Sequence, residues 1–184
     1  MNNDERNDKG LESLEDIELL KLIGDLKDTA ALEQLYSRYR ATLGSFLHRK
    51  LYQDKLVDEV YNDVMLTVWK KAADFRGDSK VSTWLFGIAY RMCLSYSRKE
   101  LKHTSDRDVI EFDDIAVEQE QDLSLQLHTA ITKLSDDHRS VIELAYFYGH
   151  SIAEISDVIQ CPVNTVKTRL FHARQNLKNI IEKQ

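Results

Sequence analysis

The chain has 184 residues, 42% hydrophobic and 30% charged, with six glycines, a single proline and a net charge of −6. That length holds one or two small domains, and so few chain breakers favour helices over short punctuated strands. Collagen-like, low-complexity and disulfide-rich secreted classes are excluded by composition, and no apolar run approaches the roughly 20 residues that span a bilayer. The opening, MNNDERNDKG, is polar and acidic, unlike a signal peptide. Cys93 and Cys161 suit a reducing compartment better than a disulfide framework. A cytoplasmic, mostly helical protein with no membrane insertion is the expectation.

The charge is unevenly spread. Residues 1–29 carry 9 acidic and 4 basic side chains, residues 30–100 carry 8 and 12, and residues 101–133 carry 8 and 3. From Cys161 onward there are five bases and one acid. Two basic regions thus alternate with two acidic ones. Global acidity does not exclude a nucleic-acid partner, because phosphates respond to charges within about one Debye length.

In chain order, Leu14, Ile17, Leu19 and Leu20 suit a short helix within an N-terminal extension, residues 1–28. From Thr29 to Lys71 apolar residues recur at helical spacing: Leu32, Leu35, Tyr36, Tyr39, Leu43, Phe46 and Leu47, then Val57, Val60, Val64 and Val68. A break follows over Phe75–Ser79, with Gly77 and an N-cap-type serine. Helical spacing resumes through Trp84, Leu85, Ile88, Ala89, Met92 and Leu94 and fades between His103 and Asp122. That acidic stretch reads as a flexible linker, residues 102–122. A second helical unit begins near Leu123. The predicted architecture is all-α: two small helical domains, residues 29–101 and 123–184, joined by an acidic tether.

The sharpest local signal lies in residues 151–178. Ser151 and Glu154 make a capping box, and Ile152, Ile155, Val158 and Ile159 give the helix behind it an apolar face. Gly149 suits the left-handed end of the preceding helix. Gln160–Cys161 is a tight turn, and Pro162 fits the first turn of the next helix. There Val166, Leu170, Ala173 and Leu177 step by 4, 3 and 4 and face a core. The opposite face shows Asn164, Thr165, Lys167, Thr168, Phe171 and Gln175, flanked by Arg169, His172 and Arg174. A short helix, a tight turn and a basic second helix follow helix-turn-helix logic, in which the second helix enters the major groove. Lysine and arginine reach phosphates or guanine edges, and Phe171 suits a thymine methyl. A plain helical hairpin would gain nothing from Phe171 in solvent.

Asp58, Glu59, Asn62 and Asp63 form an acidic stripe opposite Val60, Val64 and Val68. Like charges four apart repel slightly, so a partner with basic side chains is a reason for the stripe. A solvated face is the plainer reading. No histidine sits near enough to the stripe to complete a Glu-x-x-His pattern, so no metal is expected there. Further on, Phe75, Trp84, Phe86, Tyr90 and Tyr96 interleave with Arg76, Lys80, Arg91, Arg98 and Lys99. Rings that stack on unpaired bases beside cations that follow phosphates suit single-stranded DNA. Trp84 and Phe86 are expected to be partly buried.

In this order these features resemble a bacterial sigma factor of the extracytoplasmic-function group, the minimal class with regions 2 and 4 only. VDEVYNDVMLTVW, residues 57–69, is similar to the region 2.2 helix that binds the β′ clamp helices of RNA polymerase. FRGDSKVSTWLFGIAYRM, residues 75–92, is similar to regions 2.3 and 2.4, which open and read the −10 element. SIAEISDVIQCPVNTVKTRLFHARQNLK, residues 151–178, is similar to the region 4.2 helix-turn-helix that reads the −35 element.

The resemblance implies that Asp58, Glu59, Asn62 and Asp63 face polymerase, Asn62 standing where a glutamine is common. It implies −10 contacts from Phe75, Arg76, Lys80, Trp84, Tyr90, Arg91 and Arg98. For the −35 groove it implies Asn164, Thr165, Lys167, Thr168, Phe171 and His172, with Arg169 and Arg174 near phosphates. Core RNA polymerase, including its β flap, promoter DNA and an anti-sigma factor are the implied partners, with the linker threading toward the RNA exit path and a stress-response setting. Arg91 replaces a usual asparagine, Ser95 a common aspartate and His172 a frequent arginine, so promoter sequence is not carried over.

No nucleophile–base set, phosphate-binding glycine loop or zinc spacing occurs, so neither an enzyme nor a cofactor site is expected. Two rivals stand beside this reading. One is a stand-alone helix-turn-helix regulator whose N-terminal domain binds a ligand or dimerises. The other is a helical adaptor that touches no DNA. The first leaves the stripe and the Phe75–Tyr96 pattern unexplained, and the second would make Lys167→Ala and Arg169→Ala functionally silent.

Overall fold

The computed structural model describes residues 10–51, 53–103 and 121–182, and those residues are helices and turns with no strand. Two compact units divide the chain, residues 1–107 and 108–184. The acidic stretch from His103 to Asp122, read above as a linker, lies largely outside the described residues.

In the first unit, helix α1 (Asp16–Lys21) runs into a π turn (Leu22–Leu26), followed by α2 (Thr29–Leu51), α3 (Asp54–Lys71), a 3-10 turn (Ala72–Asp74) and α4 (Val81–His103). The apolar spacing from Thr29 to Lys71 is therefore divided between two helices, broken at Gln53, whose backbone is extended. Leu35, Leu43, Phe46 and Leu47 of α2, Val60, Tyr61, Val64 and Val68 of α3, and Leu85 and Ala89 of α4 are completely buried or nearly so. Each such leucine contributes about 2 kcal/mol of transfer free energy. Phe46 meets Phe86 at 5.1 Å between ring centres. Phe86 is fully inside rather than partly covered. Cys93 lies in the same core, and burial pushes its thiol up to about 12.

Residues 10–28 are part of this unit's core rather than an appended extension. Leu19, Leu20 and Ile23 are at most 1% exposed. Glu15 and Glu18 close a reciprocal cap at the start of α1. The Arg38 guanidinium on α2 donates to the Leu14 carbonyl at 3.0 Å, the Glu12 carbonyl at 3.1 Å and the Asp16 carboxylate at 2.6 Å. The Tyr39 hydroxyl donates to the other Asp16 oxygen. Burial first, then that carboxylate, hold the Tyr39 phenol above its ordinary range.

The second unit holds α5 (Gln121–Thr132), α6 (Asp136–Tyr146), α7 (Ile152–Ile159) and α8 (Val163–Ile181). Arg139 of α6 is buried and donates to the Thr132 carbonyl at 2.7 Å and the Leu134 carbonyl at 3.1 Å, satisfying groups at the end of α5. Burial draws its pKa down, opposed by the neighbouring Glu143 carboxylate. Val141, Leu144, Ile155, Val158, Val166 and Ala173 are fully buried and form the centre.

Candidate functional site

The second unit builds its helix-turn-helix hairpin from local rules. Gly149 ends the α6 segment with φ +67°. The Ser151 hydroxyl accepts from the Glu154 amide at 3.3 Å, and the Glu154 carboxylate accepts from the Ser151 amide at 2.7 Å. The capping box therefore forms as its spacing predicts. Gln160 then turns the chain with φ +54°, a left-handed conformation uncommon for a side chain that is not glycine. Its side-chain Nε2 donates to the Asp157 carbonyl at 2.6 Å. Pro162 is the residue before α8 rather than its first helical position, one place earlier than the sequence suggests.

Along α8, Val166, Leu170 and Ala173 are buried, and Leu177 is half-buried. The opposite face presents Asn164, Lys167, Thr168, Phe171, His172 and Arg174 to solvent, with Thr165 half-buried beside them. Phe171 is 57% exposed and meets the His172 ring edge-on at 5.4 Å. Thr168 donates to the Asn164 carbonyl at 3.0 Å, so its hydroxyl is occupied within the helix. Arg169 differs from its neighbours. It forms an ion pair with Asp137 of α6 at 2.6 Å, so a phosphate must compete with that carboxylate.

In the first unit the acidic stripe lies at the surface of α3. Asp58, Glu59 and Asn62 are exposed and Asp63 is half-buried. Each of the four has a partner within the unit. Arg40 pairs with Asp58 while lying 4.9 Å from the centre of the Tyr61 ring. The Tyr36 hydroxyl donates to Asn62 at 3.3 Å. The Tyr96 hydroxyl lies 2.8 Å from an Asp63 oxygen and 3.2 Å from a Glu59 oxygen. Hydrogen bonding to Asp63, then desolvation, hold the Tyr96 phenol above its ordinary range. Arg40 thus offsets the Asp58 charge inside the molecule, and the single Tyr96 proton is offered to the Glu59 and Asp63 pair.

The Phe75–Lys80 loop follows the 3-10 turn. Gly77 is left-handed at φ +78°, and Arg76 pairs with Asp78 at 3.0 Å. Phe75 packs against Trp84 at 5.3 Å between ring centres, both half-buried. Ser79 does not cap α4: Lys80 precedes its first residue, and the Trp84 amide donates to the Lys80 carbonyl at 3.1 Å. Arg76, Lys80, Arg91 and Arg98 are exposed. Tyr90 is not available as a stacking ring. It is 9% exposed and belongs to the core, because its position on α4 falls on the side of Phe86 and Ala89. No three His, Cys, Asp or Glu side chains among the described residues are grouped to hold a metal ion.

Residues 35–102 match the family model for Sigma-70 region 2, and residues 124–177 match that for Sigma-70, region 4. The chain is 27% identical over 170 residues to the ECF RNA polymerase sigma-E factor of Haemophilus influenzae, covering 84% of this chain and 89% of that protein. It is 29% identical to the ECF RNA polymerase sigma factor RpoE of Cereibacter sphaeroides, covering 88% and 92%. Two solved structures share the fold. CnrH, in complex with the cytosolic domain of CnrY, gives a TM-score of 0.67 at 22% identity, covering 92% of this chain and 98% of that one. The sigma factor RpoE from Bartonella quintana, in complex with the anti-sigma factor NepR, gives 0.66 at 24% identity, covering 82% and 96%. Neither rival drawn from the sequence accounts for both family matches in one chain.

Proposed function

The chain belongs to the sigma-70 family, as a sigma factor of the extracytoplasmic-function group that directs transcription initiation, and from that premise we propose how its surfaces divide the work. Sigma factors carry out no covalent chemistry; RNA polymerase does, and the sigma factor decides where. The proposed division runs by unit. The α3 face of Asp58, Glu59, Asn62 and Asp63 binds the β′ clamp helices. The Phe75–Lys80 loop and Trp84 receive an unpaired base of the −10 element, with Arg76, Lys80, Arg91 and Arg98 following the strand's phosphates. The α8 face of Asn164, Thr165, Lys167, Thr168, Phe171 and His172 reads the −35 groove, with Arg174 on the backbone and Arg169 once released from Asp137. The second unit also meets the β flap.

One observation carries this reading: the residues assigned to polymerase and to DNA are, Tyr90 excepted, exposed or half-buried on two separately cored units. The proposed domain limits are 29–101 for region 2, enlarged by the packed residues 10–28, and 123–184 for region 4. The sigma factor RpoE from Bartonella quintana was captured with the anti-sigma factor NepR, which supports an anti-sigma factor for this chain as well. No described helix is long and apolar enough to cross a membrane, and work on polymerase places the chain in the cytoplasm, within stress-responsive transcription.

The test is co-elution. Purified chain mixed with sigma-free bacterial core polymerase is expected to co-migrate on gel filtration. A chain that elutes alone, from a preparation free of co-purified inhibitor, would count against the assignment of the α3 face.

A further inference from the structure

Gly24 lies in the π turn after α1, outside both family matches, and it touches backbone rather than side chains. A Cβ built there would sit 2.8 Å from the Ala73 nitrogen and 3.0 Å from the Ala72 carbonyl carbon and the Ala73 Cα. Ordinary contact for such atoms is about 3.5 Å, and the neighbours cannot swing aside as a side-chain tip can. Any residue but glycine must therefore drive the two backbones apart by about 0.5 Å or more.

The backbone in question is the 3-10 turn Ala72–Asp74, which delivers the chain into the Phe75–Lys80 loop. The Phe75 amide donates to the Ala72 carbonyl at 3.2 Å, so a shift of the turn is passed directly to Phe75 and to the Phe75–Trp84 pair. Three residues after Gly24, Lys27 grips the same region. Its ammonium donates to the Trp69 carbonyl at 2.8 Å and lies 5.4 Å from the centre of the Trp69 ring. The support behind these contacts is firm, since Leu19, Leu20 and Ile23 are buried and Arg38 ties down the segment before them. The stripe at residues 58–63 lies on an earlier part of α3 than the gripped residues.

We propose that the N-terminal segment is a brace that sets the position of the Phe75–Lys80 loop for promoter opening, with Gly24 and Lys27 as positioning residues. This rests on the assignment of that loop to the −10 element. The brace acts on opening and leaves polymerase binding alone, because its contacts fall beyond the stripe.

The experiment uses full-length chain reconstituted with core polymerase and a promoter that the wild-type holoenzyme selects from DNA randomised over the −10 region. Opening is read by permanganate reactivity of −10 thymines, and core binding by co-elution. Gly24→Ala is expected to keep core binding within about twofold while opening falls about tenfold, the scale on which a sub-ångström misplacement is felt. The same promoter supplied already unpaired should restore most of the loss. Lys27→Asn, which tolerates the left-handed backbone at φ +52°, should show the same split more weakly and carries the test if Gly24→Ala loses helix by circular dichroism. Wild-type opening by these variants beside a defective Trp84→Ala overturns the brace and leaves the loop's assignment standing. Core binding that falls in step with opening also overturns it, reducing the segment to a support for the fold. Normal opening by Trp84→Ala removes the loop from the −10 element and overturns the proposal with it.

Discussion

The two candidate surfaces are prepared in opposite ways. On α3 every stripe residue is already held: Asp58 by Arg40, Asn62 by Tyr36, and Glu59 and Asp63 by Tyr96. On α8, Lys167, Phe171, His172 and Arg174 project into solvent, while Arg169 is tied to Asp137 of α6. The contrast suits what the proposed division gives each surface to meet. A protein partner presents fixed cations, so carboxylates held in one geometry lose less conformational entropy on binding. A phosphate backbone is met by attraction that tolerates several side-chain geometries, and long cations can stay mobile until contact.

Three variants sharpen or break this contrast, beginning with the largest effect. Reversing the stripe with Asp58→Lys, Glu59→Lys and Asp63→Lys should weaken core binding by about 100-fold or more, since like charges across an interface cost several kcal/mol. Circular dichroism should show the helices intact; unchanged co-elution would remove α3 from the interface. Next, Lys167→Ala with Phe171→Ala should weaken binding of holoenzyme to −35 duplex by roughly tenfold or more. The slope of log affinity against log salt should fall by about one, with core binding unaffected. Loss of core binding here would end the division between the units. The smallest effect belongs to Tyr96→Phe, which removes one hydroxyl lying between the exposed Glu59 and the half-buried Asp63 carboxylates. A loss of about two- to fourfold in core affinity is expected. No change, measured by titration at low salt, would mean that the stripe needs no internal holding.

What the sequence made legible was local. The Ser151–Glu154 box, the left-handed Gly149 and the buried row Val166, Leu170 and Ala173 all follow from hydrogen bonds and side-chain spacing within one or two turns. The placement of Lys167 and Phe171 on the outer face followed from that row. What escaped was tertiary. Tyr90 and Trp84 look alike in a list of interleaved rings and cations, and only helix packing puts one inside and leaves the other half-covered. Arg169 reads as a phosphate ligand until Asp137, 32 positions earlier, is found beside it. The largest omission is residues 10–28, which read in the sequence as an extension holding one short helix. Their place depends on Arg38 and Tyr39 reaching back to Asp16, and no short-range pattern announces such a contact.

The self-contained core of the first unit also has a meaning in time. Its last buried apolar member among the described residues is Cys93, about half-way along the sequence. Ribosomes add about 5–20 residues per second, so the remainder takes on the order of 10 s to synthesise. During that interval the stripe and its internal partners can assemble on a nascent chain whose α8 has not yet been made. Chain order thus schedules the two surfaces, with the one assigned to polymerase ready first and the −35 reader last.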